Sequence, residues 1–127
     1  MKGIILSGGP STVTKSSFPK IPKEIFNLNI PILGICYGLQ LIAKHFKGKV
    51  KSNITKRELG RAILIKKKNS ILTKDFFNRN KSIVWMSHQD SVNRLPKGFS
   101  KVASTSESSM TIIENKNKKI YGIQFHP

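Results

Sequence analysis

The chain has 127 residues, 38% of them apolar, enough for one domain with a real core and too few for two. No apolar run approaches the roughly eighteen residues of a membrane span, and the opening MKGIILSGGPS lacks the length and small-residue cleavage site of a secretory signal. One cysteine excludes an internal disulfide and points to a reducing cytoplasm, while the formal net charge of +17 raises the question of a polyanionic partner.

Gly3 to Gly8 (GIILSG) predicts a short buried strand closed by a glycine turn. A polar loop with three prolines follows, and then Lys23 to Leu28 predicts a short helix with Ile25 and Leu28 facing inward. Ile30 to Ile35 is a second apolar run of strand length. Beyond it Leu39, Ile42, Ala43 and Phe46 fall at i, i+3, i+4 and i+7, one apolar stripe of a helix that Gly48 is placed to stop. Shorter runs then alternate with turns: Ala62 to Ile65, Ile83 to Met86, Phe99 to Ala103, Met110 to Glu114 and Ile120 to Phe125. Strand–helix alternation followed by a strand-rich meander predicts an α/β sheet.

The basic residues are nearly all lysine and are scattered from Lys2 to Lys119. Only Lys66 to Lys68 and Lys116 to Lys119 cluster, both at expected turns, in a chain also rich in Ile and Asn. A nucleic-acid site would show arginine, interleaved aromatics and one dense patch. The charge therefore reads as compositional bias, with a basic nucleic-acid-binding module as the weaker alternative.

The single thiol, Cys36, sits in PILGICYGLQ between Gly34 and Gly38, where the second strand gives way to the helix. Gly-x-Cys-x-Gly at such a junction is the pattern of a nucleophile elbow, a sharp turn whose flanking residues must be small. The helix N-terminus would favour the thiolate, which attacks carbonyl carbon without further activation. A cysteine nucleophile needs a histidine. His45 lies on the flank of the elbow helix, while His88 (in WMSHQD) and His126 (in YGIQFHP) each follow a strand and can reach the carboxyl edge of the sheet. Physical reasoning does not choose between those two.

PILGICYGLQ followed much later by YGIQFHP resembles the class I (triad) glutamine amidotransferases. Within that class, GIILSGGPSTV, RELG, VWMSHQDSV, LPKGF and IYGIQFHP are similar to the glutaminase domain of GMP synthases, almost end to end and in order. The resemblance implies a three-layer, largely parallel sheet flanked by helices, of flavodoxin-like type. It implies Cys36 as nucleophile and His126 as its proton-transfer partner, with backbone N–H groups of Gly9 and Tyr37 holding the oxyanion. Gln40, Ser87, Gln89 and Asp90 fall in the segments that bind the glutamine substrate. His88 then becomes structural, and Trp85 and Met86 become core. No cofactor is implied for this domain; ATP and Mg²⁺ would belong to a synthetase (ATP pyrophosphatase) domain that receives the ammonia. SGGPST lacks the Gly-Lys-Ser/Thr ending of a phosphate loop.

The chain departs from the family in three ways. The family continues with Glu after His-Pro, whereas this sequence ends at Pro127; it also begins at the family's second strand, and residue 89 is Gln where many relatives have Gly. The expectation is therefore a partial amidotransferase domain over residues 1–127, lacking its N-terminal strand–helix unit and its C-terminal end. The alternative within the family is service to another synthase, of anthranilate or carbamoyl-phosphate type.

Overall fold

The computed structural model describes residues 2–8, 21–52, 58–88, 90–106 and 108–127, without the side chains of Glu58, Leu59 and His88. Ten principal elements follow in chain order: β1 (Ile4–Leu6), β2 (Ile32–Ile35), α1 (Tyr37–His45), β3 (Lys49–Ser52), β4 (Glu58–Lys66), β5 (Lys81–His88), β6 (Asp90–Arg94), β7 (Ser100–Ser104), β8 (Ile112–Asn115) and β9 (Ile120–Ile123). Seven strands form one sheet in the order β1-β2-β9-β8-β7-β4-β5, and β3 and β6 form a separate antiparallel ribbon.

The α/β architecture expected from the sequence is present, with parallel pairing concentrated where the elbow lies. β1, β2 and β9 pair in parallel; β9-β8, β8-β7, β7-β4 and β4-β5 are antiparallel. Parallel neighbours need a crossover, which α1 helps to supply between β2 and the later strands. The later strands are joined by short turns such as Asn115–Ile120, where the Lys118 N–H donates to Asn115 Oδ1, and short turns produce antiparallel hairpins. β8 and β9, in the middle of the sheet, are buried along their whole length. An isolated antiparallel bridge between Trp85 and His126 brings β5 back to the extension of β9, so the antiparallel part curls into a half-barrel. Leu64, Val84, Met86, Val102, Ile112, Ile123 and Phe125 fill its interior.

α1 lies on the other face. Gly34 of β2 and Gly122 of β9 are register partners, and a Cβ on either would overlap Ile42 or Leu39 of the helix. The two glycines form a shallow groove into which the apolar stripe settles. The single stripe read from the sequence understates the burial: every residue from Tyr37 to Ala43 is buried, because Val50 of the β3–β6 ribbon and Ile21 cover Tyr37 and Leu41 on a second side. The helix ends as expected, by a different device. Lys47 takes the left-handed conformation at φ 65°, and Gly48 donates to the Ala43 carbonyl at 2.8 Å in a Schellman motif.

Two smaller expectations change. Lys23–Asn27 is a 3-10 helix that buries Phe26, while Leu28 is exposed, since the tighter 3-10 repeat turns a different side chain inward. Of Trp85 and Met86, both expected in the core, only Met86 is buried there, and Trp85 projects outward. Strand alternation puts Val84 and Met86 inside the half-barrel and Ile83 and Trp85 outside. Opposite α1 the sheet is covered by a 3-10 turn, Ile71–Thr73, and the residues after it: Phe76 stacks on Phe125, and Leu72 and Phe77 pack on the half-barrel core. No helix among the described residues is long and apolar enough to cross a membrane.

Candidate active site

The elbow is present in the backbone. Cys36 caps α1 at φ 54°, ψ −103°, a strained conformation for a residue with a Cβ. Its N–H donates to the Ile123 carbonyl at 2.8 Å, which ties the turn to β9. Gly38 makes the turn possible: a Cβ there would overlap the carbonyl of Leu6 in β1. The first turn of α1 therefore rests directly on the end of β1.

His126 is brought to the same place by β9, the parallel neighbour of β2, and is tied there to β5. Its N–H donates to the Trp85 carbonyl at 3.2 Å. A Cβ built on Gly8, at the end of β1, would stand 3.2 Å from both Cys36 Cβ and His126 Cε1. Nucleophile and imidazole thus flank one small gap that only a glycine leaves open. Of the two histidines the sequence left in play, it is His126 whose ring is seen beside Cys36; the side chain of His88 lies outside the described residues, as do Gly9 and Gln89.

The thiol differs from expectation in one respect. Cys36 is 6% exposed rather than open to a cleft, and burial pushes its pKa up. The Tyr37 backbone N–H and the Gln124 side chain act in the opposite sense, and the Asp90 carboxylate adds a further upward push. The helix terminus does not overcome burial, so the resting form is the neutral thiol. The surroundings are polar nonetheless: Gln124 Nε2 donates to Cys36 Sγ at 3.5 Å.

A scan against family models matches residues 1–127 to the glutamine amidotransferase class-I model. The chain belongs to the class-I glutamine amidotransferases. It is 52% identical over 126 residues to a protein named GMP synthase (glutamine-hydrolyzing) from Prochlorococcus marinus strain MIT 9312, covering 99% of this chain and 24% of that one. A protein of the same name from Brachyspira hyodysenteriae is 49% identical with the same coverage. The chain spans about a quarter of the length of the curated relatives it matches. Among solved structures it superposes on a protein from Thermoplasma acidophilum, provisionally assigned to GMP synthase, with a TM-score of 0.84 at 29% identity over 98% of this chain and 62% of that one. A glutamine amidotransferase from Thermotoga maritima gives 0.73 at 27% identity, over 82% and 43% of the two chains.

The other expected residues of this amidotransferase fall into two groups. Tyr37, Gln40 and Asp90 are buried at the elbow. The Tyr37 N–H points at the sulfur, and Gln40 follows one helical turn on, its Oε1 accepting no hydrogen bond from the described residues. Asp90 opens β6, set by pairing with Ser52 of β3, and its charge is felt at the thiol. Ser87 is exposed on the outer face of β5, in line with Trp85.

Gln124 was missed by the sequence reading. Its signal lay in strand alternation: Ile120 and Gly122 share the face of β9 that meets α1, and Gln124 continues that phase just past the strand. A separate cavity of about 560 Å³, lined among others by Lys66, Lys68, Ser70, Glu114 and Tyr121, shares no residue with this site. Its lining includes an ion pair, Lys68 Nζ to Glu114 at 3.2 Å, with Ser70 donating to the same carboxylate at 2.6 Å.

Proposed function

We propose that this chain is the glutamine-hydrolysing portion of a GMP synthase. The observation that carries this reading is the shared gap at Gly8, with Cys36 Cβ and His126 Cε1 each 3.2 Å from one point. The neutral thiol passes its proton to the imidazole of His126 as the sulfur attacks the side-chain amide carbon of glutamine. The tetrahedral oxyanion is held by the backbone N–H groups of Tyr37 and Gly9, each worth roughly 3 to 4 kcal/mol by analogy with a protease oxyanion donor. His126 then protonates the departing nitrogen, ammonia leaves, and a γ-glutamyl thioester remains on Cys36. A water deprotonated by His126 attacks that thioester; glutamate departs and the thiol is restored.

Gln40, Ser87, Gln89 and Asp90 hold the substrate in this reading. The buried Gln40 Oε1, without a partner among the described residues, suits a ligand N–H, because an unmet buried acceptor is costly to leave unfilled. The buried Asp90 carboxylate suits the substrate ammonium. The ammonia is consumed by a synthetase (ATP pyrophosphatase) domain that uses ATP and Mg²⁺ to activate xanthosine monophosphate and aminate it to GMP, a step of purine biosynthesis in the cytoplasm. The glutaminase step needs no cofactor.

The test is labelling of the full-length enzyme with a glutamine-like diazo-ketone. We expect one adduct, on Cys36, and no adduct in Cys36→Ala, with glutamine hydrolysis reduced at least about ten-thousandfold. Equal labelling of Cys36→Ala would refute the assignment. Amination of an acceptor other than xanthosine monophosphate would refute its GMP-synthase part alone.

A further inference from the structure

The Gln124 side chain is a buried polar group held at both ends. Ile35 pairs with Ile123 in the parallel register, so Gln124 stands one step on, level with Cys36 where β2 and β9 end. Its N–H donates to the Thr111 carbonyl at 2.9 Å, and the Cys36 N–H donates to the neighbouring Ile123 carbonyl at 2.8 Å. Thr111 is itself fully buried and is held by its N–H on the Ala103 carbonyl and its hydroxyl on the Ser108 carbonyl. Gln124 is 1% exposed. Among the described residues the one partner of its side-chain amide is the sulfur, with Nε2 3.5 Å from Cys36 Sγ. A buried amide is costly to leave unbonded, and an apolar side chain would fill the same space. The amide thus has a task at the sulfur that packing does not require.

A thiolate only accepts hydrogen bonds, so the amide meets it through Nε2. When the Cys36 proton passes to His126, the sulfur takes a full negative charge and the N–H···S contact becomes a charge-assisted bond. It relaxes as the sulfur shares its electron pair with the amide carbon of glutamine; the C–N bond then breaks, His126 protonates the leaving nitrogen, and the thioester sulfur carries no charge. When a water that has lost its proton to His126 attacks the thioester, the C–S bond breaks with its pair on sulfur. The charge returns to the atom that Nε2 faces, and His126 gives the proton back. A donor that stabilises a thiolate lowers its nucleophilicity, which offsets roughly half of the gain in its population, and speeds its departure as a leaving group. The net effect favours both halves of the reaction. Among the described residues the other groups that bear on the sulfur are the Tyr37 N–H of α1, which acts with Gln124, the Asp90 carboxylate of β6, which acts against it, and the His126 ring across the gap at Gly8.

We propose that Gln124 is a catalytic residue of this site, its Nε2–H stabilising the Cys36 sulfur as an anion, first as nucleophile and then as leaving group. This rests on the glutaminase reading above. The experiment uses the full-length enzyme and follows alkylation of Cys36 by iodoacetamide across pH, read on the Cys36 peptide by mass spectrometry, beside glutamine hydrolysis. In Gln124→Met, which fills the space without a donor, alkylation near neutral pH falls about fivefold and the midpoint of the pH–rate profile moves up. Well above that midpoint the variant reacts at least as fast as the wild type, because the more basic thiolate is the better nucleophile. The kcat for glutamine falls about tenfold with KM unchanged, since the amide touches the sulfur and not the substrate. Gln124→Glu keeps the shape of the side chain and guards against a fold that Gln124→Met spoils; its carboxylate beside the sulfur moves the midpoint further up.

Profiles that coincide in the wild type and both variants overturn the proposal. So does a loss of the same factor at every pH, which would make Gln124 a packing residue. A rise in KM at unchanged kcat overturns it too, because the amide would then belong to the substrate pocket. A wild-type enzyme whose Cys36 is alkylated but which does not hydrolyse glutamine overturns the glutaminase reading alone, and the alkylation profiles still report on Gln124.

Discussion

The two halves of the sheet hold their share of the site by different means. The parallel half, β1, β2 and β9 under α1, places the nucleophile by hard contact. Gly34, Gly38 and Gly122 are all positions where a single added carbon would overlap a neighbour, and the Cys36 N–H is bonded to β9. The antiparallel half reaches the histidine, which follows β9, only by curvature. β8, β7, β4 and β5 turn the sheet until Trp85 meets His126 through a single bridge. Close-packed interiors transmit small displacements, whereas a lone bridge at a sheet rim leaves its residue exposed, as His126 is. Changes in the first half are thus expected to act on stability and chemistry together. Changes at the gap between the halves should act on chemistry alone.

Gly38→Ala is the severest break of that comparison. The new Cβ overlaps the Leu6 carbonyl, a backbone atom that cannot swing aside, so either α1 lifts from β1 or the turn at Cys36 relaxes. We expect a loss of about 3 kcal/mol in urea unfolding together with loss of Cys36 labelling. A normal unfolding midpoint would show that the parallel half is softer than its contacts imply. Gly8→Ala sharpens the comparison from the other side. Its Cβ would stand 3.2 Å from Cys36 Cβ and His126 Cε1, tight enough to push the exposed imidazole away. Glutamine turnover should fall up to about a hundredfold with the unfolding midpoint nearly unchanged. A comparable loss of stability would mean that the gap is a packing element and not the meeting point of two independently held groups.

What the sequence made legible follows the same division. Gly34-x-Cys36-x-Gly38 and the stripe Leu39, Ile42 and Ala43 are local patterns, and the parallel half is built from them. The β3–β6 ribbon was not legible, because KVKS and DSVNR are polar segments in which Val50 and Val92 supply the inward apolar contact, and their pairing joins residues some forty positions apart. The outward turn of Trp85 depends on the phase of an alternating strand, and SIVWM is apolar on both sides of that alternation. The buried thiol could not be read either. The helix terminus that lowers a cysteine pKa is visible in sequence, while the burial that outweighs it is set by tertiary packing that no local pattern carries.

The smallest expected effect tests whether the far end of the parallel half is insulated from the site. His45, at the last turn of α1, stacks on Phe26 with ring centroids 4.1 Å apart and meets Phe46 edge-on at 4.7 Å. Burial lowers its pKa, and Lys23 and Lys118 lower it further; Lys118 also lies 5.7 Å above the Phe46 ring. In the unfolded chain the same imidazole titrates near its ordinary value of about 6.5. As pH falls through that value the unfolded chain binds the proton before the folded one does, so stability is full above it and declines toward the lower, folded pKa. Between pH 7.5 and 5.5 the urea midpoint of the wild type should therefore fall slightly, and His45→Phe, which keeps an aromatic ring in the stack, should fall less. Equal losses in the two proteins would assign the pH dependence to groups other than His45. Cys36 labelling should be the same in both, since His45 sits at the opposite end of α1 from the elbow; a change there would mean that the rigid half conducts strain along its helix to the nucleophile.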